Sequence, residues 1–344
     1  MELSIDILSS YPPVQEAEVD KVLAEEIRDN EKKIVVLDDD PTGVQTVHDI
    51  SVYTNWEKAS IEQGFAEENK LFYILTNSRG FTAAQTEKAH KEIAEVVDQV
   101  AKETGKEYLF ISRSDSTLRG HYPLETTILK DEYEENTGKK IDGEVLCPFF
   151  KEGGRFTIDD VHYVQYDDTL VPAAETEFAK DKTFGYTVSN LKEYVEEKTQ
   201  GAYKKENVTA ISLENIRELN YDKIEEQLLA VEDFNKVIVN AIDYVDVKIF
   251  CVALFRAMKK GKNFMFRTAA AIVKVMGGVS NQPLLTREQM VVKETDNGGI
   301  IVVGSHTDKT TRQMEKLREN KDIAFVELNA TLVNDEAAFA EEVE

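Results

Sequence analysis

Residues with chemistry to offer gather in three short runs. The first, Asp38-Asp39-Asp40-Pro41-Thr42-Gly43, sets three carboxylates side by side, then a proline and a glycine that force a turn. Adjacent carboxylates repel one another, an arrangement tolerated when a metal, an arginine or a shared proton offsets the charge. The second run is Thr76-Asn77-Ser78-Arg79-Gly80. The third is Arg113-Ser114-Asp115-Ser116-Thr117-Leu118-Arg119-Gly120. Both bring hydroxyls and arginines, and a guanidinium is a planar fork that grips a carboxylate or phosphate at two points. An anionic ligand held by these arginines, opposite the carboxylates, is the chemistry this combination suits. The plainer readings are an acidic turn before a helix starting near Thr42, and surface ion pairs at sheet loops.

The flanking elements decide whether the runs meet. Each follows a short apolar stretch, at 34–37, 71–75 and 108–111, of the kind that forms strands buried on both faces. Thr82 opens a helix over 82–102, with Ala89, Ile93, Val96, Val97 and Val100 inward and Gly105 as its stop. Strand, polar turn and helix alternate, which predicts an α/β fold with a parallel sheet and crossover helices. In such sheets ligands bind outside the carboxyl ends of the strands, so the three runs are expected along one edge.

The rest of the chain reads more loosely. An amphipathic helix over 14–28 precedes the first strand as a packing arm, and a short strand is expected at 51–54. Further strands are expected at 144–147, 208–212 and 236–240, a hairpin at 155–158 and 161–166, and an edge element at 264–268. Helices are expected over 188–198, 221–231 and 246–260. Residues 277–297 read as a linker. A βαβ unit should follow, with strands at 300–303 and 324–328 around a helix over 310–319, and then a final helix over 334–343. The expected division is therefore an arm (1–33), a substrate domain (34–276), a linker and the start of a second α/β domain (298–344). One βαβ unit is too little for a doubly wound domain, so the second domain is expected to be incomplete and poorly packed.

Of the 344 residues, 65 are acidic and 41 basic, a net charge of −24 that disfavours nucleic acid and anionic membrane as partners. No apolar run is long enough to span a bilayer, and the first thirteen residues lack the basic start and apolar core of a signal peptide. Cys147 and Cys251 lie far apart in apolar segments and read as free thiols, which points to the cytoplasm. His48, His90, His121 and His162 share no metal-ligand spacing. Gly153-Gly154-Arg155 is not a phosphate loop, because no G-K-[ST] follows.

Two family resemblances bear on the first run. Asp38-x-Asp40-x-Thr42 fits the D-x-D-x-T pattern of haloacid-dehalogenase-like phosphatases, in which Asp38 would be the nucleophile. A second resemblance covers far more of the chain. Asp39-Asp40-Pro41-Thr42-Gly43, Thr76-Asn77-Ser78-Arg79 and Asp115-Ser116-Thr117-Leu118-Arg119-Gly120 resemble the D-D-x-T-G, T-x-S-R and D-S-T-L-R-G signatures of the four-carbon acid sugar kinases. Pro148, Gly154-Arg155 and the segment from Val171 to Tyr186 are similar to later blocks of that family. Gly304-Ser305-His306-Thr307 with Thr310 resembles the opening of its nucleotide-binding domain.

That resemblance implies ATP-dependent phosphorylation, with Mg²⁺, of a tetronate or 3-oxo-tetronate on its terminal hydroxyl. It implies catalytic roles for Asp39, Asp40 and Asp115, and sugar-acid contacts from Thr42, Ser78, Arg79, Arg113, Ser116 and Arg119. Gly304, Ser305, His306, Thr307 and Thr310 would meet ATP. Two departures stand out: Asp38 extends the acidic pair to a triplet, and Pro41 replaces the usual aliphatic residue. The family's later glycine-rich phosphate segments are absent. A non-catalytic sugar-acid binding protein therefore stands beside the phosphatase as an alternative, and a homo-oligomer is left open.

Overall fold

The computed structural model describes residues 1–344 except 292, 294–296 and 306. The chain divides into two compact units, Met1–Gln282 and Pro283–Glu344. The first unit runs β1 (Leu3–Ser4), α1 (Glu16–Asp29), β2 (Lys33–Asp38), β3 (Val52–Tyr53), α2 (Lys58–Ala66), β4 (Leu71–Leu75), α3 (Ala83–Thr104), β5 (Tyr108–Arg113), α4 (Leu124–Thr137) and β6 (Gly143–Cys147). It continues with β7 (Arg155–Ile158), β8 (Val161–Tyr166), β9 (Thr169–Pro172), α5 (Leu191–Lys198), β10 (Thr209–Ile211), α6 (Leu213–Arg217), α7 (Tyr221–Leu229), β11 (Asn235–Val239), α8 (Tyr244–Lys259), β12 (Phe264–Thr268) and α9 (Ala270–Met276).

Eight of these strands form one parallel sheet in the order β10-β11-β6-β12-β5-β2-β4-β3. Side chains alternate along each strand, so the apolar run of β2 serves both faces. Ile34 and Val36 pack in one core with α1, α8 and α9, and Val35 and Leu37 pack in another with α2, α3 and α4. α3 begins at a reciprocal capping box between Thr82 and Gln85 and ends at Gly105, whose φ of 67° is the left-handed stop. The chain leaves β2 for β4 on one side and then crosses to β5 on the other. That reversal opens a crevice at the carboxyl ends of β2 and β5, where the first and third runs begin.

A second, antiparallel sheet has the order β1-β9-β8-β7. Its hairpin β7–β8 was expected; β9 and β1 extend it. The amino-terminal helix is more than an arm: Val19 and Leu23 are buried in the main core, and Lys248, Arg256 and Lys259 of α8 pair with its acids. Residues 264–268, expected at an edge, form β12 in the middle of the sheet between β6 and β5. All five residues of β12 are buried, and Arg267 is tolerated there because Glu125 neutralises it at 3.0 Å.

The second unit holds α10 (Arg287–Met290), α11 (Asp308–Leu317) and α12 (Glu336–Val343), the last two close to the helices expected there. The strands expected at 300–303 and 324–328 are not formed, and Ile300, Val302 and Val326 are exposed. An apolar run becomes a strand only when neighbours pair its backbone groups and cover its faces, and this unit offers neither. Among the described residues no helix is long and apolar enough to cross a membrane.

Candidate functional site

Register brings the three runs together. Asp38, the last residue of β2, lies opposite Leu75 of β4 and Arg113 of β5. Thr76 N donates to Asp38 O at 2.9 Å, Asp39 N to Arg113 O at 3.2 Å, and Arg79 N to Asp39 O at 3.2 Å. Two guanidiniums then neutralise the triplet. Arg113 donates from Nε to Asp38 and from Nη2 to Asp40 Oδ1 at 2.8 Å and to the Asp40 carbonyl at 2.7 Å. Arg79 grips Asp39 in two places, Nη2–Oδ1 at 2.7 Å and Nε–Oδ2 at 3.2 Å, and its Nη1 meets Asp40 Oδ2. Of the offsets open to three adjacent carboxylates, arginine is in place. Gly43 is required here, since a Cβ would collide with Arg113 and with the Asp38 carboxylate.

One carboxylate oxygen from each of the three lies within 4.8 Å of the others, a spacing that suits a cation. Most of these oxygens are already engaged within the protein. Both oxygens of Asp39 and of Asp40 are engaged by the arginines and Thr42, and only Asp38 Oδ2 is left without a hydrogen-bond partner. An Mg²⁺ ion held by so few protein oxygens takes its remaining ligands from water and phosphate.

The third run forms a loop held from behind. Asp115 accepts from Thr117 Oγ1, from Arg119 N at 3.3 Å and from Arg119 Nε at 2.6 Å. Leu118 has a φ of 69°, a left-handed conformation costly for leucine, and three buried side chains keep it there. His162 Nε2 donates to Ser116 O at 2.7 Å, Tyr186 OH to Thr117 O at 2.8 Å, and Tyr194 OH to Leu118 O at 2.8 Å. His162 Nδ1 accepts from Thr157 Oγ1 at 3.0 Å, so the ring is the neutral Nε2–H tautomer. Burial lowers His162 to about 4, which keeps it in that form.

Behind the site lies a second polar layer. Glu125 of α4 is buried and accepts from Ser78 Oγ at 2.6 Å, Ser112 Oγ at 3.3 Å and Arg267 Nη1 at 3.0 Å, with His90 Nε2 3.8 Å away. Arg267 Nη2 donates to the Arg119 carbonyl at 2.8 Å, tying this layer to the third run. Gly120, with a φ of 116°, lets that approach happen; a Cβ would stand 2.7 Å from Arg267 Nη2. Asp39, 3% exposed, and Asp115, 11% exposed, are driven apart. Burial raises Asp39 to about 7, against the pull of Arg79. Burial also works against Asp115, but Arg79, Arg119 and Thr117 together hold it well below the usual carboxylate range.

Asp39, Asp40, Asp115, Thr42, Arg79, Arg113, Ser116 and Arg119 thus share one edge. Access differs among them. Thr42 is exposed, Ser116 half-buried, and Arg79 and Arg119 are 20% and 25% exposed. Ser78 and Arg113 are corrections: both are buried and their polar groups are spent inside the protein, on Glu125 and on the triplet, so neither faces a ligand. Gly304, Ser305, Thr307 and Thr310 lie in the second unit at the start of α11, where Thr307 caps the helix and Thr310 Oγ1 donates to Ser305 Oγ at 2.9 Å. His306 lies outside the described residues. Sequence reasoning missed Glu125, Arg267, His162, Tyr186 and Tyr194. For Glu125 and His90 a signal existed: each is an ionisable residue on the buried face of its helix, where such residues are rare unless paired.

The model of the sugar-binding N-terminal domain family matches residues 34–276. The chain belongs to that family. The match bears out the resemblance carried by the three runs. Solved structures agree on the fold of this sugar-binding domain. The Haemophilus influenzae protein HI1011, of the DUF1537 family, is 17% identical with a TM-score of 0.50 over 83% of this chain. A DUF1537 domain of unknown function from Bordetella bronchiseptica, a domain-swapped dimer with bound citrate, is 20% identical with a TM-score of 0.51 over 90% of this chain. The chain spans 65% of the Haemophilus protein and 70% of the Bordetella one. Among curated proteins none matches.

Proposed function

We propose that the sugar-binding domain takes a four-carbon sugar acid at the carboxyl-terminal edge of β2, β4 and β5, and that ATP phosphorylates its terminal hydroxyl. The observation that carries this reading is geometric: the strand register sets Asp39, Asp115, Arg79 and Arg119 at one edge of the sheet, and burial raises Asp39 while Asp115 is held down. Such a split fits a base beside a permanently ionised partner. Asp39 takes the proton of the attacking hydroxyl once Arg79, which holds both its oxygens in the structure, gives one of them up to the ligand, and Asp115 accepts hydrogen bonds from the sugar's other hydroxyls. Thr42 and Ser116 line the mouth, with Arg79 and Arg119 supplying positive charge.

Phosphoryl transfer asks a protein mainly for positioning and neutralisation of charge, which suits a cleft built from arginines and carboxylates. ATP would meet Ser305, Thr307 and Thr310 and the free N–H groups at the start of α11, and Mg²⁺ would arrive with the nucleotide rather than at the triplet. The citrate bound to the Bordetella relative is likewise a hydroxy acid. Weighing against the phosphatase alternative, Asp38 is 1% exposed and Arg113 holds its Oδ1.

Incubation with ATP, Mg²⁺ and a panel of tetronates and 3-oxo-tetronates, followed by ADP release, tests the reading. Acid-dependent ADP is the expected result. A phosphoryl adduct on Asp38, or affinity for none of the acids in a parallel calorimetric titration, would contradict it.

A further inference from the structure

Counting guanidinium donors separates the arginines around the cleft into two classes. Every nitrogen of Arg79 is taken by Asp39 or Asp40, and every nitrogen of Arg113 by Asp38, Asp40 or Ser114 O. Among the described residues Arg119 spends only Nε as a side-chain donor, on Asp115. Arg155, the first residue of β7, spends Nη1 on the Gly153 carbonyl, while its Nε is buried without a partner.

Arg119 and Arg155 sit on one aromatic ring. Their guanidinium carbons lie 5.0 and 5.4 Å from the centroid of Phe178, in the short 3-10 turn Glu177–Lys180. Each gains a cation–π contact, but two like charges are drawn together on a half-buried ring. Arg119 has Asp115 as counterion, whereas no carboxylate forms an ion pair with Arg155 among the described residues. Glu177, nearby, accepts instead from Tyr166 OH at 2.5 Å. Burial works against the Arg155 guanidinium, the more distant charges of Asp115 and Glu177 offset part of that cost, and Arg119 adds to it; Arg155 nevertheless stays ionised. A desolvated cation beside a second cation, with an orphaned donor, is a site that an anion would complete.

We propose that Arg119 and Arg155, bracketing Phe178, clamp the carboxylate of the bound acid, leaving its far hydroxyl end to Asp39. This rests on the sugar-acid reading above and adds Arg155 and Phe178 to it. The third run and the antiparallel sheet then each supply one jaw, which gives the second sheet a binding role.

Calorimetric titration of the full chain with tetronates and with the matching neutral tetritols tests it, in wild type, Arg155→Gln and Arg155→Lys. Wild type should prefer the acid over the tetritol. Arg155→Gln should weaken the acid by about 10- to 100-fold and leave the tetritol unchanged, and Arg155→Lys should recover only part, because an ammonium lacks the fork. Near-ultraviolet circular dichroism checks that both variants fold; if Arg155→Gln does not, Arg155→Lys decides. An acid preference that survives both substitutions overturns the clamp while the sugar-acid reading stands. If wild type binds no tetronate, that reading falls, and simple hydroxy-carboxylates of other lengths decide the clamp. One that binds wild type but not Arg155→Gln supports it, and binding of none, or equal binding to both, overturns it.

Discussion

Replacing Arg267 by methionine probes the buried layer that carries the site. The substitution keeps the side chain's bulk in the central strand β12 but removes the cation 3.0 Å from Glu125 and the donor 2.8 Å from the Arg119 carbonyl. Glu125 is 1% exposed, so without Arg267 it must either stay charged in a dry interior or take a proton. The second route is the cheaper. From a usual value of 4.5, protonation at pH 7 costs about 3 kcal/mol at about 1.4 kcal/mol per pH unit. That agrees with the about 3–5 kcal/mol found when one partner of a buried pair is removed.

Urea unfolding should show the loss as a fall of about 1 to 1.7 M in midpoint at an m-value of about 3 kcal/mol/M. The sign with pH follows. In the variant Glu125 has a folded pKa above its unfolded value, so stability is retained at low pH and lost as pH rises, and the deficit at pH 5 should be about 1 kcal/mol. Adding Glu125→Gln, which keeps an acceptor for Ser78 and Ser112 without the charge, should restore about 2 kcal/mol or more at pH 7. A deficit under 1 kcal/mol at pH 7, or no rescue by the second substitution, would refute the reasoning.

Other outcomes follow from the same geometry. Arg119→Lys keeps the charge but loses the fork, and calorimetry should show sugar-acid affinity down by about tenfold; unchanged affinity would remove Arg119 from the site. Because His162 is held to about 4 against an ordinary 6.5, wild type should lose about 3 kcal/mol of stability as pH falls from 6.5 to 4, and His162→Gln should lack that slope in pH-resolved urea curves. With Asp39 at about 7 as base, ADP release should climb about tenfold per pH unit below 7 and level off above it; a flat profile from pH 5.5 to 8 would reassign the base. Gly43→Ala pushes a methyl into Arg113 and Asp38 and should cost about 1–3 kcal/mol by thermal or urea unfolding.

Local signals carried the sheet. The unbroken apolar run of β2 announced a strand buried on both faces, and Thr82 and Gly105 bounded α3 to within two residues. Because strands and helices alternate, the three polar runs had to emerge along one edge. Partner choice was illegible, because it depends on contacts far apart in the chain. Ser78 reads as a ligand contact until Glu125, 47 residues on, is found to consume its hydroxyl. Arg113 reads as a substrate anchor until the acidic triplet folds against it. β12 is short and charged, and only its long-range pairing with β5 and β6 reveals it as central. Residues 300–303 show the converse: a pattern suited to a buried strand stays exposed where no neighbouring strand pairs with it. Arg155 and Phe178 come from another sheet and a turn, so no local spacing links them to Arg119.

The central claim is a location: a hydroxylated four-carbon acid seated at the carboxyl ends of β2, β4 and β5. A crystal structure of the chain grown with a tetronate measures it directly. The account predicts the acid within hydrogen-bond distance of Asp115 and Arg119, with its terminal hydroxyl turned toward Asp39. A tetronate bound elsewhere on the molecule, with this edge holding only solvent, would contradict it.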